Sequence, residues 1–304
     1  MVDMELYACI DIGGTAIKYG LIDNNGEIVS QSQMPTEAQR GGREICRKVN
    51  TVVDNYLAKH KLGGVCISTA GMVDCKSGEI FYSGDLIPDY TGTSLKNQVE
   101  KAFKIPCEVE NDVNCAGLAE YISGAAAGSK IAVCLTVGTG IGGCILIDGK
   151  VFHGYNCSAC EVGYMHMEDS DFQTLGASSI LTRKVAEQKR EPEEVWDGRR
   201  IFKEAKNGDR ICNQAIDKMT DILGKGIANI CYVLNPEIVV LGGGIMAQKE
   251  ILEPKIKAAL CCYLKPIIYE NMHLAFAKHK NNAGMLGAFY NFKLQQEKNC
   301  TPKL

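Results

Sequence analysis

The chain has 304 residues, 46% hydrophobic and 23% charged, values that are ordinary for a globular protein of one large or two average domains. A formal net charge of -3 provides no basic surface for nucleic acid or for an anionic membrane, and no apolar run reaches the length of a bilayer span. The first six residues include two acids and lead directly into a predicted strand, so we expect no signal peptide and a cytoplasmic protein that binds small molecules.

The first half of the sequence alternates short apolar strands with helical segments. Three strands are predicted within 7–30, joined by the glycine turn DIGGT at 11–15 and by NNG at 24–26, which is typical of a tight connection between two strands. Further along, the pattern predicts a helix over 40–60, a strand over 65–68, a loop over 69–74, a helix over 94–104, a strand over 106–110 and, capped by Asn111, a helix over 112–122.

The second half begins the same order again after the small-residue segment GAAAGS at 124–129. Its predicted elements are a strand over 131–137, a charged surface region over 187–210, a helix over 213–234, a strand over 237–241, a turn and helix from 242 and a terminal helix after 284. This alternation indicates an α/β protein with two similarly built lobes, 1–122 and 123–288. The C-terminal helix, about 289–304, is expected to pack on the first lobe.

Two glycine turns, DIGGT at 11–15 and GTGIGG at 138–143, lie in segments that match at a constant offset of 125 positions. The identities that fall in this register are Gly13 with Gly138, Leu21 with Leu146, Ile22 with Ile147 and Asp23 with Asp148. Glycine lets backbone N–H groups approach a phosphate closely, so the repeat suggests a duplicated phosphate-binding hairpin. A third turn, GGG at 242–244, also follows an apolar strand, although any one of the three turns is equally compatible with a purely structural role.

Asp112 stands in the first turn of a predicted helix, directly after an apolar strand. Considered without its neighbours, this position indicates an acid that stabilises the helix through its dipole. Between two phosphate turns, the same carboxylate is suited to accept the proton of an attacking alcohol, and Asn111 beside it can hydrogen-bond to sugar hydroxyls. The sequence leaves both roles open at this point.

Together these motifs resemble the ROK sugar kinases, in order and over nearly the whole chain. They are DIGGTAIK at 11–18, ENDVNC at 110–115, TVGTGIGG at 136–143, EVG at 161–163 and LGGG at 241–244. The resemblance implies two ribonuclease-H-like lobes of the actin-like ATPase type, with a sugar cleft between them. It implies ATP-dependent phosphorylation of the primary (6-)hydroxyl of a hexose, a hexosamine derivative or a β-glucoside, with Mg²⁺, by a homodimer.

Carried over residue by residue, the resemblance makes Asp112 the catalytic base. The implied sugar-binding residues are Ala70, Gly71, Asn111, Asp112, Glu161 and Tyr164. The implied ATP- and phosphate-binding residues are Asp11, Gly13, Gly14, Thr15, Lys18, Gly138, Thr139, Gly140, Gly242, Gly243 and Gly244.

The chain departs from the family pattern at Tyr164, where the motif Glu-x-Gly-His has a histidine that touches both the sugar and a structural zinc. No cysteine cluster follows between Cys160 and Cys212, so the resemblance is to zinc-less members, which include β-glucoside kinases and some N-acetylmannosamine kinases, and we expect no metal site. His166 is read as a surface or core histidine rather than a ligand.

Smaller departures concern the residues beside the sugar motifs and the cysteines. Cys160 stands where glycine is usual and Asp85 where asparagine is common, so the sugar contacts are expected to differ locally. Cys157 and Cys160 have the spacing of a metal or redox pair, but without a second pair they read as loop residues. Most of the other cysteines are expected to be buried in the core of a protein from a reducing compartment, such as Cys9, Cys66, Cys134 and Cys231.

The alternative function is that of a ROK-type sugar-binding regulator without kinase activity. Such regulators carry a winged-helix segment before the first phosphate strand, whereas about six residues precede that strand here, and the chain is acidic. A catalytically silent sugar-binding protein is a further alternative, which the intact Asp112 and glycine turns disfavour.

Overall fold

The structure is a computed structural model that describes residues 5–84, 86–168 and 170–300. Asn299 and Cys300 are described through their backbone only. Asp85, for which an altered sugar contact was expected, lies outside the described residues. The strands are β1 Leu6–Ile12, β2 Ala16–Asp23, β3 Ile28–Pro35, β4 Leu62–Thr69, β5 Met72–Asp74, β6 Glu79–Tyr82, β7 Thr93–Ser94, β8 Cys107–Asn111, β9 Ile131–Val137, β10 Ile141–Ile147, β11 Lys150–Val151, β12 His166–Met167, β13 Ser170–Asp171, β14 Ile238–Gly242 and β15 His273–Phe276. The helices are α1 Gly41–Leu57, α2 Leu95–Phe103, α3 Asp112–Ser123, α4 Phe172–Gly176, α5 Ser178–Lys189, α6 Gly198–Lys206, α7 Arg210–Leu234, α8 Lys249–Tyr263, α9 Pro266–Tyr269 and α10 Ala283–Cys300.

The chain divides into two compact units. The first comprises Met1–Ile122, Val151–Ala159 and Asn281–Leu304, and the second comprises Ser123–Lys150 and Cys160–Lys280. This division differs from the lobes expected from sequence in two places. The short segment Val151–Ala159 groups with the first unit, and the C-terminal segment that does so begins at Asn281 rather than near 289.

The first unit contains a five-stranded mixed sheet in the order β3-β2-β1-β4-β8. β1, β2 and β3 are antiparallel neighbours, whereas β1, β4 and β8 run parallel. Side chains of β1 alternate between the two faces of the sheet: Ile10 and Ile12 pack in the core cluster that contains Ile45 and Val49 of α1, whereas Tyr7 packs in the cluster that contains residues of α10. Both faces of the sheet are therefore covered, which explains why the strand is apolar throughout.

The terminal helix α10 packs on the sheet of the first unit through aromatic side chains. The ring of Tyr7 lies 5.3 Å from that of Phe289 and 5.4 Å from that of Phe292. α10 also meets α3 at close range, because a Cβ atom added to Gly287 would overlap the backbone carbonyl of Cys115. Glycine at this position allows the two helices to pack backbone to backbone.

The second unit repeats the same sheet plan, with the order β11-β10-β9-β14-β15. β9 and β10 are antiparallel, and β9, β14 and β15 run parallel. The long helix α7 contributes Ile216, Leu223 and Ile227 to the core, together with Phe172 of α4, whose ring occupies the space left by the missing side chain of Gly226. The expected α/β class with two sheets of like topology, as in actin-like proteins, is confirmed.

Most predicted elements are found within a few residues of their expected bounds. β9 has the predicted bounds, and α7 begins earlier than predicted because the side chain of Asp209 caps it by accepting a hydrogen bond from the Cys212 N–H. The predicted loop over 69–74 ends in the short strand β5. The expectation of burial is confirmed for Cys9, Cys66, Cys134 and Cys231. Within the described part of the chain, we find no helix that combines the length and apolarity needed to span a bilayer.

Candidate functional site

In the first unit, the carboxyl ends of the parallel strands β1, β4 and β8 bring the predicted sugar and phosphate motifs to one edge of the sheet. The Ala70 N–H donates to the Ile12 carbonyl at 3.2 Å, which joins the segment after β4 to the end of β1. The Asn111 side chain at the end of β8 donates to the Gly71 carbonyl at 2.9 Å. Gly71 has a φ of +96°, a conformation that disfavours other residues.

Asp112 is the first residue of α3, and two donors fix its carboxylate. Its Oδ1 accepts from the Asn111 side-chain amide at 3.0 Å and from the Val113 N–H at 2.9 Å. Asn111 in turn caps the helix, since its Oδ1 accepts from the N–H groups of Val113 and Asn114 at 2.9 and 3.0 Å. The predicted cap is thus confirmed, and it orients both side chains of the Asn111–Asp112 pair.

Asp11 lies at the end of β1, beside the first glycine turn. Its Oδ1 accepts from the Ser68 hydroxyl at 2.7 Å, and its Oδ2 lies 3.9 Å from Lys18 Nζ. Burial raises the pKa of Asp11, and the Ser68 hydrogen bond and the charge of Lys18 offset only part of that rise. Gly284 at the start of α10 leaves room for this carboxylate, which a Cβ atom there would overlap.

The first glycine turn, Gly13 to Thr15, connects β1 to β2, and Thr36 donates hydrogen bonds to its carbonyl groups. The Gly13 N–H donates to the Ala16 carbonyl at 3.1 Å, and the Gly13 carbonyl accepts from the Thr36 hydroxyl at 2.6 Å. Gly14 and Thr15 are exposed, and a Cβ added to Gly14 would meet no atom within 4 Å. The backbone of this turn is accessible to a ligand.

The second glycine turn, Gly138 to Gly140, connects β9 to β10 and is fastened to the start of α5. The Gly138 N–H donates to the Gly140 carbonyl at 2.9 Å. The Gly138 carbonyl accepts from the Ser178 N–H and hydroxyl at 2.9 and 2.6 Å, and the Thr139 carbonyl accepts from Ser179 Oγ at 2.7 Å. A Cβ added to Gly138 would meet no atom within 4 Å, so this turn too is open on its outer side.

The third turn, Gly242 to Gly244, lies next to the second within the second unit. Gly242 pairs with Thr136 in the parallel register of β14 and β9. Gly243 has a φ of +104°, and a Cβ atom on it would overlap the Val137 carbonyl at the end of β9. The helix expected after this turn starts as a 3-10 turn over Gly244–Gln248 and continues as α8.

Glu161 and Tyr164 belong to the second unit, within and beside a short 3-10 turn at Val162–Tyr164. Burial raises the pKa of Glu161. Tyr164 is 51% exposed, so its ring presents a large surface. Cys160 has a φ of +66°, in the left-handed region where glycine is favoured. Its thiol packs against Gly143. Burial, and to a smaller extent the charge of Glu161, raises the pKa of this thiol to about 12.

The structure brings together a group of polar side chains that the sequence motifs do not predict. In the first unit, Cys75, Glu110 and His153 place a thiol, a carboxylate oxygen and an imidazole nitrogen within 4.8 Å of one another. Glu110 belongs to the ENDVNC motif, and the sequence motifs predict no role for it, although an acidic residue within an apolar strand indicates one. The expectation of a chain without a metal site needs correction here, because these three residues are ligands of the kind that zinc takes. His166, by contrast, is exposed in β12, as expected.

Comparison with known proteins accounts for this arrangement of motifs. The sequence model of the ROK family matches residues 7–295. An uncharacterized protein of Clostridium perfringens is 48% identical over 290 residues, covering 95% of this chain and 98% of that protein. The β-glucoside kinase of Listeria monocytogenes is 32% identical over 298 residues, covering 95% and 98%.

A solved structure shows the same fold at full length. The ROK family glucokinase of Streptomyces griseus, determined with glucose and AMPPNP, superposes with a TM-score of 0.81 at 25% identity and covers 93% of this chain and 97% of that one. The chain therefore belongs to the ROK family, in which the named relatives that it resembles are carbohydrate kinases.

Proposed function

We propose that this ROK carbohydrate kinase transfers the terminal phosphoryl group of ATP to the primary (6-)hydroxyl of a hexose, a hexosamine derivative or a β-glucoside. The sugar oxygen forms a bond to the γ-phosphorus while the bond from that phosphorus to the β,γ-bridging oxygen breaks, and ADP leaves. The hydroxyl proton passes to Asp112. The observation that carries the proposal is the carboxylate of Asp112, which two donors hold in one orientation at the start of α3.

Sugar binding is assigned to residues of both units. In the first unit we propose Ala70, Gly71, Asn111 and Asp112, because the hydrogen bond between the Asn111 amide and the Gly71 carbonyl presents an array of polar groups at one edge of the sheet. In the second unit we propose Glu161 and Tyr164. The glucose and AMPPNP found in the Streptomyces griseus enzyme support a sugar and ATP as the two substrates.

ATP binding is assigned to the glycine turns and their neighbours. The residues proposed are Asp11, Gly13, Gly14, Thr15 and Lys18 of the first unit and Gly138, Thr139, Gly140, Gly242, Gly243 and Gly244 of the second. The open outer side of Gly14 and Gly138 supports this assignment, because a phosphate oxygen can approach the backbone of these turns there without meeting a side chain.

We also propose that ATP binds with Mg²⁺, for which Asp11 supplies a fitting donor. Its carboxylate is a hard oxygen ligand beside the first glycine turn, and Ser68 holds it in place. When bound, the ion neutralises charge on the phosphates. Gly284 keeps the space of this carboxylate free of a side chain.

A coupled ADP-release assay over a panel of sugars tests the proposal. We expect ADP release that depends on both ATP and a sugar, with glucose, methyl β-glucoside, cellobiose and N-acetylmannosamine as the panel. A protein that binds one of these sugars in calorimetry but releases no ADP with any of them would instead be a sugar-binding regulator.

Replacing Gly138 with Ala is expected to raise the KM for ATP at least about tenfold, which corresponds to about 1.4 kcal/mol. The added methyl group would point into the open space where we propose that phosphate binds, and it meets no protein atom within 4 Å. The thermal unfolding midpoint should therefore stay at the wild-type value. An unchanged KM for ATP would contradict the assignment of this turn.

A sugar with a substituent on its C1 oxygen is expected to be phosphorylated with a kcat/KM at least comparable to that of the free hexose. A site built to bind a free C1 hydroxyl leaves buried polar groups unpaired when that hydroxyl is substituted, at about 1–3 kcal/mol per group. With Tyr164 in place of the family's histidine, we propose that this penalty is absent. If free glucose or N-acetylmannosamine reacts well and methyl β-glucoside and cellobiose are inert, the β-glucoside assignment is wrong and the kinase assignment stands.

We further propose that the protein acts in the cytoplasm as a homodimer. The cysteines of the described chain are mostly buried, which is compatible with a reducing compartment. Sedimentation velocity over a range of protein concentrations tests the dimer, and a single monomeric species throughout would refute it.

A further inference from the structure

We propose that Cys75, Glu110 and His153 form a zinc site in the first unit, separate from the sugar and nucleotide groups. Their ligand atoms already meet: Cys75 Sγ lies 3.1 Å from Glu110 Oε2 and 3.3 Å from His153 Nε2, and the last two atoms are 2.7 Å apart. Thiolate, imidazole and carboxylate are the three ligand types that Zn²⁺ combines in proteins. This cluster does not include position 164, where the resemblance implies the histidine of a different zinc site.

The two oxygens of the Glu110 carboxylate have different hydrogen-bond partners. Oε1 accepts from the Asn111 N–H at 2.8 Å and from the Asn114 side-chain amide at 3.0 Å. Oε2 is hydrogen-bonded to the imidazole of His153 and to the thiol of Cys75. Amide donors that hold one carboxylate oxygen and leave the other for a cation are typical of the outer shell of a metal site.

A buried, charged carboxylate such as that of Glu110 destabilises the fold unless a cation or a full set of hydrogen-bond donors compensates its charge. Glu110 has no exposed side-chain surface, and His153 is 26% exposed. Burial raises the pKa of Glu110, but the hydrogen bond and charge of His153, with the amide donors of Asn114 and Asn111, outweigh that effect and leave the pKa below its ordinary value.

The distances between the ligand atoms are close to those that zinc requires. With Zn–S near 2.3 Å and Zn–N and Zn–O near 2.0–2.1 Å, tetrahedral ligands stand about 3.3–3.6 Å apart. The imidazole nitrogen and the carboxylate oxygen, now 2.7 Å apart, must therefore separate by about 0.6 Å, and the sulfur must move by less from either of them. His153 can make this adjustment, because it lies in the short segment Val151–Ala159 and is partly exposed. On binding, the Cys75 thiol releases its proton to solvent.

A fourth coordination position is available on the solvent side. Cys75 and His153 line a cavity of about 430 Å³, which Cys157 also lines. Three protein ligands with one open position is a common zinc arrangement. Bound zinc would join three segments that are distant in sequence, namely the residue after β5, the end of β8 and the segment after β11. It would brace β8, which ends at Asn111 directly before Asp112.

The test is zinc content, with Zn²⁺ alone as the probe. Protein purified with zinc and then dialysed should retain about one ion per chain by elemental analysis, and chelation should lower the thermal unfolding midpoint. Replacement of zinc by cobalt should give a thiolate-to-metal absorption band that Cys75→Ser abolishes. His153→Gln, at the partly exposed position, should weaken zinc binding at least about a hundredfold while the protein still folds.

The matched control is the double variant Cys261→Ser, Cys262→Ser, which removes two exposed thiols far from the cluster in sequence. It should bind zinc as the wild type does. Zinc that disappears in this double variant, or that survives unchanged in both Cys75→Ser and His153→Gln, would overturn the proposal. So would a wild-type protein that loses all zinc on dialysis, since the cluster would then be a hydrogen-bonded network only.

Discussion

Asp112→Asn is expected to lower kcat by about 10²- to 10⁴-fold and to leave sugar binding nearly unchanged. The amide keeps the shape of the side chain and can still accept, through its oxygen, the hydrogen bonds that Asn111 and Val113 donate to Oδ1. It cannot take the proton of the attacking hydroxyl. Steady-state kinetics and sugar titration by calorimetry measure the two quantities separately.

The competing explanation is that Asp112 only complements the dipole of α3. In that case its loss would change stability by about 0.3–1 kcal/mol and would leave turnover in place. Glu250→Gln is the matched control, because Glu250 is an exposed first-turn acid of α8 that has no role in the proposed site. If Asp112→Asn keeps more than half of the wild-type kcat, the carboxylate is a helix-stabilising group and not the base.

Gly287→Ala should destabilise the protein by roughly 1–3 kcal/mol or more, with the loss seen as a lower urea midpoint. In an open helix the same change would stabilise the protein by about 0.5–1 kcal/mol, because alanine restricts the unfolded chain and favours the helix. Here the new methyl group would overlap the backbone carbonyl of Cys115 in α3. A backbone group cannot rotate away as a side chain can, so one of the helices must shift.

Gly198→Ala provides the comparison for this stability change. Gly198 is the first residue of α6, and an added Cβ would come no nearer than 4.0 Å to Ile245. We expect that variant to be as stable as the wild type or slightly more stable. Equal stability of Gly287→Ala and wild type would mean that α10 does not pack on α3 as described.

The local parts of the candidate site could be predicted because each depends on a short stretch of chain. The glycine turns at Gly13 and Gly138 follow strands that appear in the sequence as apolar runs. Asn111, directly before Asp112, is of a residue type that is preferred at the N-cap of a helix. The duplicated hairpin predicted two similar sheets for the same reason. Both sheets have the same strand order, with a turn after the first strand of each.

The cluster of Cys75, Glu110 and His153 could not be predicted from spacing. Its members are 35 and 43 positions from Glu110, and each follows or ends a different strand, so that no motif connects them. Only the return of the segment Val151–Ala159 to the first unit places His153 beside Glu110. Cys157 and Cys160 have the spacing of a metal or redox pair in the sequence, but they belong to different units.

By itself, then, the sequence determined the α/β class, the two repeated sheets, the turns and the ROK family resemblance, because these depend on residue periodicity and on contacts within one strand–turn–strand unit. Tertiary structure alone decided that α10 meets α3 at Gly287, that Ser68 holds Asp11, and that a buried acid shares its oxygen with a thiol and an imidazole. Such contacts join residues that are far apart along the chain. They arise because close packing and the need to pair buried polar groups act across the folded unit, whereas sequence patterns report only on neighbours.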